Sequence, residues 1–405
     1  MTDTDLSNPP LIGLAQLMRR AYNGEDLAPL GTTLIQRAET QADANTLMDL
    51  STLLQLRGNR DLALQVQLDA LALQQLYHPP TTGNADSLKL CALMVAGDLM
   101  ANSPLEFLLE QAEITLILAY PNAHQPLLSQ LPAHDLLFVA VAQSDDNMPL
   151  LNYLADELNT WHKPVLNRPE RIALLSRDQS CRLFTALPGI VMPVTARLTR
   201  QQLMPVSQAI IPLDKLLADT DYPIIIRPVD SHAGHGLEKI HTVHELDDYL
   251  QIHHEAEFYV SPFVDYRGAD GLFRKYRIVL IAGRPFLCHL GISEHWMIHY
   301  LNAGMEQSSE KRAEEAFAMT AFDSEFAQKH QLALRGIDET MGLDYVGIDC
   351  GETPEGELLI FEVDSCMIVH ALDSMALFPY KQPQMHKIFT AFQQLLMHTA
   401  HREAH

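Results

Sequence analysis

Residues 345–366, YVGIDCGETPEGELLIFEVDSC, hold two apolar, strand-like runs on either side of a turn-forming stretch. A two-residue turn at Glu355-Gly356 would pair these runs as an antiparallel hairpin. In that register Asp349 lies directly opposite Glu362, with their Cβ atoms about 5 Å apart. Asp364 shares the face of Glu362, because alternate residues of a strand point the same way. The hairpin is therefore predicted to gather three carboxylates on one side.

The surroundings of these carboxylates suggest a cation. Their flanks are apolar, so the hairpin is expected in a half-buried sheet, where crowded carboxylates either raise their pKa values or need a positive partner. Oxygen ligands of this kind suit Mg²⁺ that carries the phosphates of a nucleotide. The pattern favours a metal site at Asp349, Glu362 and Asp364. The alternative is a solvated acidic hairpin tip.

A second stretch, PIIIRPVDSHAGHGLEKI at 223–240, joins two strand-like runs through a glycine-containing loop. Glycine lets backbone amides approach phosphate oxygens closely, and Arg227 could grip those oxygens with its guanidinium. An ordinary strand–strand turn with positive φ at both glycines is an equally open alternative. The functional interpretation assigns the phosphate contacts to Ser231, His232, Ala233, Gly234, His235 and Gly236.

The strand-like run KYRIVLIAG at 275–283 carries two cations two residues apart. Lys275 and Arg277 share one face of this strand and could form an anion pocket. The alternative is an exposed strand face that carries its charges into solvent.

The segment CHLGISEHWMIHY at 288–300 is rich in histidine. Glu294, His295 and His299 could line a pocket for an acceptor substrate, and His370 is a further candidate beyond the hairpin. Ordinary surface or core histidines are the alternative, and for His370 a residue at the start of a helix. A zinc site is disfavoured, because no third ligand accompanies His295 and His299.

The first 85 residues read as amphipathic helices. YNGEDLAPL and LRGNRDLAL, around Gly24 and Gly58, lie 34 residues apart, which is the tetratricopeptide period. An irregular helical cap is an equally good explanation of the similarity between these two segments. From Leu88 onward, short apolar runs alternate with helical patterns, which predicts an α/β layer with a mostly parallel sheet.

Composition excludes several functional classes. The 405 residues include 28 basic and 51 acidic side chains, a net charge of −23, so a broad nucleic-acid footprint is not expected. Five scattered cysteines without a Cys-x-x-Cys pair favour a reducing compartment. The acidic start is unlike a secretory signal, and no apolar run reaches the roughly 18 residues of a membrane span. A cytoplasmic protein without membrane contact is predicted.

In this order, the basic strand, the glycine loop, FYVSPFVDY, KYRIVLIAGRPF and GID…FEVD resemble the ATP-grasp superfamily. The resemblance covers about residues 165–400 and is greatest to the branch of glutathione synthetase and the ribosomal-protein glutamate ligases. The helical start resembles a subfamily that joins tetratricopeptide-like helices to ATP-grasp. A multidomain α/β fold is implied, with a helical region (1–85), an α/β pre-ATP-grasp domain (86–167) and ATP-grasp small (168–264) and large (265–405) subdomains.

The resemblance also implies a site for ATP with one or two Mg²⁺ ions, for which Mn²⁺ could substitute. Arg227 stands where the family usually has a phosphate-binding lysine, and Arg177 is the candidate for a second basic residue. Arg277, with Lys275 beside it, would stabilise an acyl phosphate. The remaining implied contacts are adenine at Pro262, Phe263 and Val264, ribose at Asp265, and Mg²⁺ at Asp349, Glu362 and Asp364, where Asp364 replaces the usual asparagine.

The implied activity is an ATP-dependent ligase that joins a small-molecule or peptide carboxylate to an amine, hydroxyl or thiol through an acyl phosphate. The implied partners are these substrates, a protein bound by the helical N-terminus, and a second copy in a homodimer. Two alternatives remain open on the residues. One is a nucleotide-binding interaction scaffold without ligase activity, and the other is a phosphotransferase.

Overall fold

The computed structural model describes residues 9–84, 86–122, 127–231 and 234–402, and the chain divides into two compact units. Unit 1 contains 1–173, 343–346 and 365–405, and unit 2 contains 174–342 and 347–364. The carboxylate hairpin therefore belongs almost wholly to unit 2, while the chain that follows it returns to unit 1.

Helices and strands are mixed along the chain. The α-helices are α1 (Leu14–Tyr22), α2 (Ala28–Thr40), α3 (Ala44–Leu56), α4 (Arg60–Leu73), α5 (Leu105–Leu108), α6 (Met148–Leu158), α7 (Pro169–Ile172), α8 (Arg177–Phe184), α9 (Arg200–Ser207), α10 (Val243–Ile252), α11 (Ser309–Ala321), α12 (Phe326–Lys329), α13 (Gln331–Met341) and α14 (Lys381–Arg402). The strands are β1 (Leu76–Tyr77), β2 (Leu88–Leu93), β3 (Ile114–Ala119), β4 (Leu136–Val139), β5 (Val165–Leu166), β6 (Ile190–Val191), β7 (Ala196–Thr199), β8 (Ile224–Pro228), β9 (Glu238–Ile240), β10 (Glu257–Pro262), β11 (Phe273–Ile281), β12 (Arg284–Ser293), β13 (Tyr345–Glu352) and β14 (Leu358–Asp364). Within the described ranges, no helix is long and apolar enough to cross a membrane.

Unit 1 contains a sheet in the order β1-β3-β2-β4-β5. The strands from β2 to β5 run parallel, and β1 pairs antiparallel with β3 at the edge. The central strands are buried along most of their length, as expected of a parallel sheet. Helix α14 packs against this sheet, where the ring of Phe392 lies 5.9 Å from that of Phe138. The predicted α/β layer with a mostly parallel sheet is confirmed.

Unit 2 contains two further sheets, one of which is antiparallel in the order β7-β10-β8-β9. Apolar residues of α9 and α10 pack with β8 and β10 into one core that includes Leu203, Leu246, Ile226 and Phe258. This core holds β8 in place, and β8 leads directly into the glycine loop.

The other sheet of unit 2 has the order β12-β11-β13-β14-β6 and contains the carboxylate hairpin. Asp349 lies opposite Glu362, as predicted. The predicted turn, however, is wrong. Gly356, with φ +84°, closes a three-residue loop by donating to the Thr353 carbonyl oxygen, and the Thr353 and Glu357 backbones pair. A β-bulge, at which Phe361 is the extra residue, restores the register at the carboxylates.

Candidate functional site

The site is centred on Asp349, a carboxylate of β13 that is only 1% exposed. Arg277 on β11 donates to both of its oxygens, with Nε 2.8 Å from Oδ1 and Nη2 2.9 Å from Oδ2. The Lys275 Nζ lies 2.7 Å from Oδ2. Burial raises the pKa of Asp349, but Arg277 and Lys275 lower it by more than burial raises it, so the net pKa lies far below its usual range. The two strand cations are therefore on one face, as predicted, and are held by a single ionised acid.

Glu362 lies across the hairpin and is paired with a different cation. Arg177, at the start of α8, forms a salt bridge with this carboxylate and donates from Nη1 to the Phe361 carbonyl oxygen at 3.0 Å. Burial raises the pKa of Glu362, but Arg177 and Arg227 bring it below its ordinary value. Asp364 lies two residues further along β14, opposite Gly347.

Arg227 is a buried cation of β8, with 8% of its surface exposed. Its Nε lies 3.0 Å from the Ser231 Oγ, and its Nη2 donates to the Ser231 carbonyl oxygen. Burial, assisted by Arg177 and opposed by Glu362, lowers the pKa of Arg227 to about 9. Arg227 forms no salt bridge with any residue that the structure describes. The guanidinium therefore anchors the loop backbone, while its charge has no directly bonded counter-ion among the described residues.

The glycine loop itself lies beside a histidine. Gly234 and Gly236 have φ values of +75° and +61°. A Cβ built on Gly234 would lie only 2.4 Å from the His299 Nε2, so glycine is needed here for space as well as for backbone conformation. The His299 Nε2 is buried and has no hydrogen-bond partner in the described part of the chain. His232 and Ala233 lie outside the described residues.

These groups form one electrostatic cluster. Burial, Lys275, Arg277 and Arg227 all lower the pKa of His299, with Asp349 acting in the opposite direction. Lys275 and Arg277 share the single carboxylate of Asp349, and Arg227 forms no salt bridge with a described residue. A half-buried group of cations with fewer directly paired carboxylates attracts anions.

The predicted three-carboxylate metal site is not assembled. No group of three or more His, Cys, Asp or Glu side chains within the described ranges is arranged to hold a metal ion. The physical reason is charge pairing, because Asp349 and Glu362 direct their oxygens to cationic side chains. As the side chains stand, this donor set does not fit Mg²⁺.

The predicted base-binding segment lies at the end of β10. Phe263 meets Trp296 edge to face, with ring centroids 5.8 Å apart, and the Lys239 Nζ lies 3.5 Å from the Phe263 ring centroid. Asp265 is paired with Arg267 instead of standing free. Lys239 is not among the residues predicted from the sequence, although its position on the strand after the loop is a usable signal.

The other candidate acceptor residues are dispersed. Glu294 and His295 are exposed. His370 belongs to unit 1, where its ring lies 5.6 Å from that of Tyr22 and 6.0 Å from that of Phe107. Of these candidates, the structure brings only His299 to the described cation cluster.

No protein-family model and no curated protein matches the chain. Among solved structures, the chain is similar to the VanG D-Ala:D-Ser ligase from Enterococcus faecalis, with 15% identity and a TM-score of 0.48 over 78% of this chain and 100% of that one. It is also similar to the D-alanine–D-alanine ligase from Bacillus anthracis complexed with ATP, with 12% identity and a TM-score of 0.47 over 78% of this chain and 98% of that one. A RimK domain ATP-grasp protein from Sphaerobacter thermophilus has 16% identity and a TM-score of 0.43 over 76% of this chain and 99% of that one. Likeness at this level carries no conclusion about activity.

Proposed function

We propose that unit 2 binds ATP at the cation cluster and uses it to activate a carboxylate as an acyl phosphate, which an amine, hydroxyl or thiol then attacks. The observation that carries this proposal is Arg227, a buried guanidinium without a salt bridge to any described residue. Burying an uncompensated charge is costly, so such a group is typical of an anion-binding site. The ordered motifs that resemble ATP-grasp proteins support a nucleotide as that anion.

The nucleotide is proposed to lie within unit 2, between the sheet β7-β10-β8-β9 and the sheet that contains the carboxylate hairpin. Arg227 and the glycine loop would hold the phosphates. The backbone at 262–264 would meet the adenine edge, with the Phe263 ring as an apolar wall for the base.

The chemistry would rest on positioning and charge neutralisation. A substrate carboxylate oxygen attacks the terminal phosphorus, and the bond to the bridging oxygen breaks, which releases ADP. Arg177, Lys275 and Arg277 would neutralise the transferred phosphoryl group, and Asp349 would hold two of these cations in place. The acceptor then attacks the acyl carbon, phosphate leaves, and the acceptor proton passes to water. No step here passes through a metal ion, since Asp349 and Glu362 are engaged in ion pairs.

The test is turnover of ATP with mixtures of carboxylates and amines, read as ADP and free phosphate. Equal amounts of both products, formed only with both substrates present, are expected. Hydroxylamine offered as the acceptor should give a hydroxamate, because it traps acyl phosphates. ADP without free phosphate would indicate phosphotransfer, and ATP binding without ADP release would indicate a scaffold. Either result would reject the ligase.

A further inference from the structure

Unit 1 contains a cavity of about 80 Å³ that the proposed ATP site does not use. It lies between the chain entering α1, helix α3, the lead into α5 and the end of β3. Asp49 and Glu106 line it, and Asp49 is only 3% exposed. The apolar part of its wall includes Leu11, Met48 and Met94.

Both carboxylates are partnered by backbone amides and by no cation among the described residues. Asp49 accepts from the Ile12 N–H at 2.8 Å and from the Gly13 N–H at 3.0 Å. Glu106 accepts from the Ala15 N–H at 3.1 Å. Capping the start of α1 explains the positions of these acids, but no described cation compensates them, and Asp49 raises the pKa of Glu106.

The cavity also contains polar groups that the cap does not use. Tyr120 lines it with 8% of its surface exposed, and its hydroxyl forms no hydrogen bond with any described residue. The Gln55 Oε1, also at the cavity, is buried and lacks a hydrogen-bond partner in the described part of the chain. By contrast, Gln67 is occupied by the Gly97 N–H. The uncommitted groups are therefore acceptors beside uncompensated negative charge.

We propose that this cavity binds the ammonium group of a small primary amine, with its carbon chain against the apolar wall. An ammonium carries three donors and one positive charge, which matches the carboxylates and the uncommitted oxygens. Charge-assisted hydrogen bonds in a partly desolvated pocket are among the stronger polar contacts. The site lies wholly within unit 1 and does not depend on the proposed ligase chemistry.

Binding is expected to strengthen as the pH rises. Burial is the largest effect on both acids and raises the pKa of Asp49 to about 6 and that of Glu106 to about 7. The other charged groups nearby are Asp43, Glu110 paired with Arg19, and Asp98 paired with Arg60. An ammonium ligand therefore meets ionised acids at pH 8 and largely protonated ones at pH 5.

The test is an NMR titration of the full chain with butylammonium chloride, using butan-1-ol as the uncharged probe of similar shape. Saturable binding of butylammonium at pH 8, at least tenfold weaker at pH 5 and absent with the alcohol, is expected. Glu106→Gln keeps an oxygen for the Ala15 amide and should weaken binding at least tenfold. Glu113→Gln, at an exposed acid of unit 1 outside the cavity lining, is the matched control and should leave affinity unchanged.

Tyr120→Phe keeps both caps and should weaken binding severalfold, so the site can be tested even if Glu106→Gln loses its fold. No saturable binding to the parent protein would overturn the proposal and leave the acids as a helix cap. Equal binding of the alcohol, or parental affinity in both Glu106→Gln and Tyr120→Phe, would overturn it as well.

Discussion

Replacing Arg227 with Met tests the anion site by separating binding from stability. Met has a similar length and can fill the same buried space, but it removes the charge and the two hydrogen bonds to Ser231. If Arg227 is there to bind phosphate, the unliganded protein should tolerate the change while ATP affinity falls. If Arg227 is structural, the fold should suffer first.

The magnitudes follow from burial. Lowering the pKa of Arg227 from 12.5 to about 9 corresponds to a cost on the order of 5 kcal/mol for keeping the guanidinium charged in the fold at neutral pH. Losing the contacts to Ser231 costs about 1–3 kcal/mol, so the free energy of unfolding should rise by about 2–4 kcal/mol. Losing a charge-assisted phosphate contact should weaken ATP binding by about 1.5–3 kcal/mol, roughly 10- to 150-fold.

Isothermal titration with ATP and denaturant unfolding without nucleotide measure the two quantities. Arg227→Lys should retain more affinity than Met, because it keeps a positive charge. Arg335→Met, an exposed arginine of α13 paired with Glu339, is the matched control and should change neither quantity appreciably. Parental ATP affinity in Arg227→Met would refute the site. A loss of several kcal/mol of stability would refute the inference that burying this charge destabilises the fold.

Three further outcomes are expected. Gly234→Ala should weaken ATP binding, because the added Cβ displaces the His299 ring. Gly271→Ala, at φ +81° with open space around the added Cβ, should cost only about 1–2 kcal/mol of stability and leave ATP binding unchanged. Equal effects of the two variants in calorimetry and unfolding would contradict the loop assignment. Asp349→Asn removes the carboxylate that Lys275 and Arg277 share and should cost about 3–5 kcal/mol. Adding ATP should then give a larger thermal shift than in the parent protein, and no enlarged shift would count against phosphate binding there. Because the pKa of Glu106 is raised to about 7, its contribution to stability is fully present below about pH 4 and is lost as the pH rises to about 7. Glu106→Gln should therefore flatten the fall of the unfolding free energy with pH over that range, and an unchanged fall, measured by urea unfolding at each pH, would reject the raised pKa.

Local patterns in the sequence predict the elements around the site well. The predicted register correctly placed Asp349 opposite Glu362, and strand alternation correctly placed Lys275 and Arg277 on one face. The turn between β13 and β14 was predicted one residue too short. That error did not propagate, because the bulge at Phe361 compensates for it within the strands.

The sequence by itself determined helices α1 to α4, the parallel sheet of unit 1 and the two strands of the carboxylate hairpin, because these follow from the local spacing of apolar residues. It missed β1, which lies within the stretch that was predicted to be helical only. The tertiary structure alone decided how the charges are compensated. Arg177 reaches Glu362 from a helix 185 residues earlier in the chain, and Asp49 and Glu106 come to one cavity from separate segments. Whether a carboxylate meets a metal, an arginine or a backbone amide depends on which side chains packing brings within about 3 Å of it. Residue type and spacing along the chain do not contain that information.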